Sequence, residues 1–209
     1  MIAVVDADIS NTGSVLNMLR RIGVCGQLVK TPEMLAAAER VILPGIGHFR
    51  NGMRMLADMR LVDALREAAV VKRKPTLGIC LGMQLLGAHS DEGDCDGLGI
   101  IPFRCVRFSF EADAARLPIP HMGWRGVIAT KRTPMLSNLP DASRFYFVHS
   151  YHAILEHSED ALLKAQYGGR PFVAAVQRDL VVGVQFHPEK SHVFGETILK
   201  NFVEMPVAN

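Results

Sequence analysis

The sequence has little excess of either charge, no long apolar run and no cysteines in CxxC spacing. Its 23 Lys and Arg against 21 Asp and Glu leave a net charge of +2, too small to favour nucleic acid or an anionic membrane. The longest apolar stretch, near residues 77–88, contains a glutamine and glycines and is shorter than the ~18 residues of a spanning helix. No basic segment precedes an apolar one at the N-terminus, as a signal peptide requires. We therefore expect a cytoplasmic protein without membrane or nucleic-acid partners.

The four cysteines (Cys25, Cys80, Cys95 and Cys105) show no CxxC spacing. That spacing is typical of structural zinc sites, and disulfide frameworks belong to small secreted chains. We therefore expect no metal and no disulfide framework, and we expect the cysteines to be reduced.

Apolar runs alternate with helical patterns in the first 90 residues, which predicts a parallel sheet with helices on both faces. Helices are predicted over 14–22, from Thr31 onward and over about 53–69, and strands over 2–5, 40–43 and 75–79. The second half is richer in strand patterns, over 103–110, 144–149, 172–176 and 181–186, and ends in a helix over 191–202. We predict an α/β fold in which residues 1–209 form one domain, with a mostly parallel central sheet and an added antiparallel section.

Cys80 lies in the segment Gly78-Ile-Cys-Leu-Gly82, between a predicted strand and a predicted helix. This G-x-C-x-G pattern is typical of a nucleophile elbow, in which glycines allow a tight turn that exposes the central side chain. A helix N-terminus stabilises the reactive thiolate, and the Leu81 N–H would point at a developing oxyanion. The alternative is a buried structural cysteine, the commoner fate of a single Cys in an apolar run.

His187-Pro-Glu189 directly follows the last predicted strand, at the sheet edge where α/β proteins bind ligands. In an extended segment the two side chains project to the same side, so Glu189 would orient His187 and His187 would activate Cys80. Taken alone, the segment also fits a turn with a solvated acid.

His149 and His152 are predicted to point to opposite faces of one strand, which disfavours a metal pair. The segment Gly45-Ile-Gly47 lacks the third glycine of a dinucleotide loop and is interpreted as a backbone loop near the site.

Five motifs resemble, in order, those of the glutaminase subunits of imidazole glycerol phosphate synthases, which are class-I (triad) glutamine amidotransferases. They are Leu43-Pro-Gly-Ile-Gly47, Gly78-Ile-Cys-Leu-Gly-Met-Gln84, Pro120-His-Met-Gly-Trp124, Tyr146-Phe-Val-His-Ser-Tyr151 and Gln185-Phe-His-Pro-Glu-Lys190. The resemblance covers essentially the whole chain and implies the class-I glutamine amidotransferase fold.

The resemblance implies a role for each matching residue and no metal or organic cofactor. Cys80, His187 and Glu189 would form the catalytic triad that converts L-glutamine into glutamate and ammonia. The oxyanion would be bound at Gly45, Gly47 and Leu81, and the α-amino and α-carboxylate groups at Gln84, His149, Ser150 and Tyr151. The family's partner is a (β/α)8-barrel cyclase that receives the ammonia, so a heterodimer is expected, with Asn11, Trp124 and Lys190 at or near the interface.

The segment Asp6-Ala-Asp-Ile-Ser-Asn11 departs from the family pattern Asp-Tyr-Gly-x-Gly-Asn and faces the partner in the family. A paralogue that supplies ammonia to a sugar-amidinating enzyme of surface polysaccharide synthesis is therefore a rival hypothesis. An inactive scaffold subunit is a second rival, which the intact triad disfavours. A cysteine hydrolase unrelated to glutamine is a third, and the chain order of the triad disfavours it.

Overall fold

A computed structural model describes residues 1–7, 11–110 and 117–207. The strands are β1 Ile2–Val5, β2 Gly26–Val29, β3 Arg40–Gly45, β4 Thr76–Cys80, β5 His89–Ser90, β6 Cys95–Asp96, β7 Phe103–Arg107, β8 His121–Gly126, β9 Ile128–Ala129, β10 Arg144–His149, β11 Tyr151–Leu155, β12 Ala161–Tyr167, β13 Arg170–Arg178 and β14 Val181–Val184. The α-helices are α1 Thr12–Arg21, α2 Pro32–Ala36, α3 Phe49–Asp58, α4 Leu61–Arg66, α5 Leu81–Leu85 and α6 His192–Val203.

The central sheet is parallel over five strands, in the order β2, β1, β3, β4, β14. It continues through antiparallel pairings from β14 to β13, from β13 to β11 and from β11 to β7. Strands β8 and β10 form a separate antiparallel ribbon. The predicted fold, a mostly parallel sheet with an antiparallel section, is therefore confirmed.

The parallel strands are buried on both faces because alternate side chains enter two different cores. In β1, Ile2 and Val4 pack with residues of α1 and α6, whereas Ala3 and Val5 pack with residues of α2 to α5. The result is a three-layer arrangement with helices on both sides. Within the residues that the structure describes, no helix is long and apolar enough to cross a membrane.

The helix predicted over about 53–69 is wrong as one element, because Arg60 adopts a left-handed conformation (φ 58°) that separates α3 from α4. A single residue in this region interrupts the i to i−4 hydrogen bonds of a helix. A π-helical segment, Glu67–Val71, follows α4 directly.

Candidate active site

The turn between β4 and α5 places Cys80 at the carboxyl edge of the parallel sheet. Cys80 has φ 55° and ψ −109°, a strained conformation for a residue with a side chain. The glycines on either side make this turn possible: a Cβ on Gly78 would lie 2.6 Å from the Gly82 carbonyl oxygen, and one on Gly82 would collide with the Leu43 carbonyl. This geometry is that of a nucleophile elbow.

The Cys80 sulfur is nearly buried and has two polar neighbours besides His187. Its thiol lies 3.9 Å from the Val148 carbonyl oxygen, and the Gln185 amide Nε2 donates to the sulfur over 3.7 Å. Leu81 is the first residue of α5, where a backbone N–H has no acceptor within the helix. That N–H is therefore available for an oxyanion formed next to the sulfur.

His187 and Glu189 form a buried pair, in which Nδ1 lies 2.7 Å from the carboxylate Oε1. The segment Pro188–Lys190 is a 3-10 turn, so the extended backbone predicted for it is wrong. The pair forms nevertheless, because the turn brings the carboxylate back to the ring. The backbone is held by the bond from the His187 N–H to the Tyr146 carbonyl and by the bond from the Ser191 hydroxyl to the His187 carbonyl.

The surroundings of His187 favour its protonated form. Burial lowers its pKa, but the neighbouring Cys80 sulfur and the hydrogen-bonded Glu189 carboxylate outweigh burial and raise the pKa to about 10. Its Nε2 is buried and makes no hydrogen bond to the described residues. The protonated ring therefore has one N–H, at Nδ1, bonded to Glu189 and a second, at Nε2, that it can donate near the Cys80 sulfur.

Cys80 and His187 open onto a cavity of about 230 Å³. The predicted residues Gly47, Leu81, Gln84, His149, Ser150 and Tyr151 line it, together with Ile46, Glu92, Pro120 and Val148. Gly45 does not line the cavity but lies beside Cys80 in the β3–β4 register, and Glu189 lies behind His187. The structure thus brings the predicted triad, oxyanion and glutamine residues to one place.

His149 is engaged with the protein at both ring nitrogens. Its Nδ1 donates to the Tyr151 carbonyl over 2.7 Å, which leaves Nε2 to accept from His121 Nδ1 over 3.1 Å. Burial lowers the pKa of His149 to about 3, although its bond to Tyr151 raises it. Burial, and secondarily Arg125, lowers the pKa of His121 to about 4. Both rings are therefore neutral at physiological pH.

The prediction that His149 and His152 point to opposite faces of one strand is wrong. The chain leaves β10 at His149 and enters β11 at Tyr151, so the two residues belong to different strands. Both rings pack on Phe108, with centroid separations of 5.2 and 4.6 Å. Over residues 1–7, 11–110 and 117–207, no three metal-binding side chains cluster closely enough to hold an ion.

Glu92 is a cavity residue that the sequence reasoning missed. Among the described residues that line the cavity it carries the only carboxylate, and its Oε2 accepts from the Phe49 N–H over 2.8 Å. Glu92 belongs to no motif, and its only sequence signal is its acidic charge in the short segment after β5.

Two of the three predicted interface residues share one surface cluster. Trp124 stacks on His192, with ring centroids 5.4 Å apart, and Lys190 Nζ lies 5.9 Å from the Tyr146 ring centroid. Trp124 also contacts Tyr146 edge to face. Asn11 is the N-cap of α1, where its side chain accepts from the Ser14 N–H. Residues 8–10 of the departing segment lie outside the described residues.

Comparison with known proteins agrees with this geometry. The model of the family "Glutamine amidotransferase class-I" matches residues 3–205. The chain is 48% identical over 205 residues to imidazole glycerol phosphate synthase subunit HisH 2 of Pseudomonas aeruginosa, covering 98% of this chain and 100% of that protein. It is 42% identical to the subunit HisH 2 of Methanococcus maripaludis, covering 98% of this chain and 99% of that protein.

The fold is also found in solved structures. The structure of PurLQS from Thermotoga maritima matches with a TM-score of 0.72 and 18% identity, over 97% of this chain and 96% of that chain. At this identity the likeness shows the fold alone. The family model and the relatives cover nearly the whole chain, and the chain belongs to the class-I glutamine amidotransferases, a family of enzymes.

Proposed function

We propose that the chain, as one domain over residues 1–209, is the glutaminase subunit of an imidazole glycerol phosphate synthase. The observation that carries this proposal is the elbow cysteine that shares a cavity of about 230 Å³ with His187, whose ring is paired with Glu189. The relatives named above support the choice of this enzyme within the family. They do not favour the polysaccharide alternative.

In the first step the Cys80 thiolate attacks the carboxamide carbon of glutamine. The carbonyl electrons move to oxygen, and the backbone N–H groups of Leu81 and Gly47 receive this oxyanion. When the oxyanion collapses, the C–N bond breaks and His187 gives its Nε2 proton to the leaving nitrogen. The products are ammonia and a γ-glutamyl thioester on Cys80.

In the second step water replaces the sulfur. His187, now neutral at Nε2, takes a proton from the water as its oxygen attacks the thioester carbon. The C–S bond breaks, its electron pair returns to sulfur, and the new carboxyl group loses its proton to solvent. Glutamate leaves, and the thiolate and the imidazolium are restored.

The rest of the cavity is suited to an amino acid. Gln84 gives both of its amide protons to protein acceptors, Tyr151 O and Gln185 Oε1, which leaves its carbonyl oxygen for a donor on the substrate. We assign the α-ammonium group to this oxygen and to Glu92, whose charge is complementary. Ser150 and Tyr151 line the same cavity and are assigned to the α-carboxylate.

The ammonia acceptor is a separate cyclase subunit of (β/α)8-barrel type. The surface cluster of Trp124, Tyr146, Lys190 and His192 is the proposed docking surface, with Asn11 as a second contact. His187 belongs to the same chain segment as Lys190, and its N–H is bonded to Tyr146. Docking at the cluster therefore acts on the backbone that holds the general base.

The test is glutamate release from glutamine by the chain alone, and by the chain with the same organism's cyclase and its ribonucleotide substrate. We expect strong stimulation by the complete mixture. If a cyclase that is competent with ammonium salts gives no stimulation, the histidine-pathway partner is wrong. Stimulation by a sugar-amidinating enzyme in its place would establish the polysaccharide alternative.

A further inference from the structure

Gln185 is a fully buried polar residue next to the nucleophile, and none of the roles assigned above includes it. It directly follows β14, which pairs in parallel with β4 so that Val184 lies opposite Ile79. One position beyond this pair lie Gln185, which follows β14, and Cys80, which ends β4. The Gln185 amide Nε2 donates to the Cys80 sulfur over 3.7 Å.

The orientation of this amide is fixed by Gln84. Gln84 Nε2 donates to Gln185 Oε1 over 2.9 Å and to the Tyr151 carbonyl over 3.3 Å. If the Gln185 amide were flipped, two NH₂ groups would face each other and the sulfur would face a carbonyl oxygen. Gln84 therefore keeps the Gln185 carbonyl on its own side and the NH₂ group on the side of the sulfur.

We propose that Gln185 is a catalytic residue that donates a hydrogen bond to the Cys80 sulfur and favours the thiolate, with Gln84 as the residue that positions it. The inference rests on the proposed role of Cys80 as nucleophile. His187 changes its protonation state in each step of the reaction, whereas a neutral amide offers the same donor throughout. Gln185 therefore stabilises sulfur both as the attacking thiolate and as the group released from the thioester.

The experiment is alkylation of Cys80 by iodoacetamide across pH, on the full chain and without glutamine. Peptide mass spectrometry separates Cys80 from the other cysteines. Gln185→Glu keeps an acceptor for Gln84 and replaces the donor by an oxygen. Since a hydrogen bond to a charged group is worth about one pH unit or more, we expect alkylation at pH 7 to slow about tenfold or more, with the profile moved to higher pH.

Two further variants separate this role from a structural one. Gln185→Met removes the donor without adding charge, so we expect a shift smaller than that of Gln185→Glu. Gln166→Glu makes the same chemical change at an exposed position of β12 and should leave the profile unchanged. Profiles of both Gln185 variants that coincide with the wild type would overturn the proposal, as would a larger shift for Gln185→Met.

A measurement on the unaltered residue covers the case in which the variants do not fold. In the wild-type protein, the side-chain NH₂ resonances of Gln185 should move over the same pH range as Cys80 alkylation, and they should not do so in Cys80→Ser. Gln185 NH₂ resonances that do not shift as the Cys80 thiol ionises would contradict the proposal. If instead the alkylation results hold but no glutamine is hydrolysed with any partner, the hydrogen bond from Gln185 to the sulfur is established, and its catalytic role is overturned together with the proposed function.

Discussion

Two buried histidine sites border the same cavity, and their surroundings shift the ring pKa in opposite directions. His187 has a carboxylate on one side and sulfur on the other, and the two raise its pKa to about 10. The His121–His149 pair has a carbonyl, each other, aromatic rings and the Arg125 cation around it, and burial is the main cause that lowers the two pKa values, to about 4 and about 3. Burial alone makes an imidazole neutral, whereas burial with an anion makes it a cation.

The two sites therefore have opposite effects on stability as pH changes. The stabilisation from His187, whose pKa is raised on folding, is complete below about pH 6.5 and is lost as pH rises toward 10. The His121–His149 pair takes up protons more readily when unfolded, so its contribution is lost as pH falls from 6.5 toward 4.

Removing the Cys80 sulfur is expected to have the largest effect on activity. In Cys80→Ser we expect glutamine-dependent synthesis by the complex to fall by roughly 10³-fold or more, since the nucleophile is lost. Synthesis driven by ammonium salts should remain, because the partner performs that chemistry. Product formation with each nitrogen source measures both. Parallel loss of both activities would contradict the division of labour between the two subunits.

Removing the charge of Glu189 should lower the pKa of His187 toward the values of the His121–His149 pair. Glu189→Gln takes away one of the groups that raise the pKa of His187, while the burial that lowers it remains. We expect glutaminase kcat at pH 7 to fall roughly 10²- to 10⁴-fold, since orienting acids in triads have effects of this size. The matched control is Glu156→Gln, at an exposed position. A kcat equal to that of the control would refute the triad.

Glu92 lines this cavity and, unlike Glu189, has no histidine partner among the described residues. Its loss should therefore affect the binding of glutamine and not proton transfer. We expect Glu92→Gln to raise KM for glutamine about 10-fold and to leave kcat nearly unchanged, because a charge-assisted contact to the α-ammonium group is lost. Steady-state kinetics with the complete complex separates the two constants. A fall in kcat alone would show that Glu92 does not bind the α-ammonium group.

The smallest effect is expected at the neutral pair. His121→Gln keeps a donor for His149 and removes one titrating ring, so stability should fall less steeply from pH 6.5 to 4. The change in slope should approach the value for one proton, about 1.4 kcal/mol per pH unit. Urea unfolding at several pH values measures it, and His157→Gln, at an exposed position, is the control. An unchanged slope in His121→Gln would mean that His121 is not buried as a neutral ring.

The parallel half of the fold and the elbow could be predicted from sequence because their signals are local. Continuous apolar runs mark the buried strands, and the glycines around Cys80 mark the turn. Strand β8 has no such signal: His121-Met-Gly-Trp-Arg-Gly126 is rich in glycine and polar groups, and its partner β10 determines its conformation. The same limit applies to β2, which is only partly buried.

The parts of the site that could not be predicted depend on contacts between distant segments. Glu92 is positioned by its bond to the N–H of Phe49, which lies 43 positions earlier in the chain. Gln185 bonds to Cys80, which lies 105 positions earlier. The His121–His149 bond depends on the register of the ribbon, in which these two residues are paired. A family resemblance locates the triad, but the charge of each histidine follows only from what surrounds it.

The opposite pKa shifts of the two histidine sites are tested most directly by an NMR titration of ring resonances of His187 and His149 in one sample of the free chain. We predict that His187 remains an imidazolium at neutral pH and titrates near 10, while His149 remains neutral down to about pH 3. In Glu189→Gln only the His187 transition should move, and it should move downward. Transitions of both rings near the ordinary value of about 6.5 would contradict the charges assigned to the two sites.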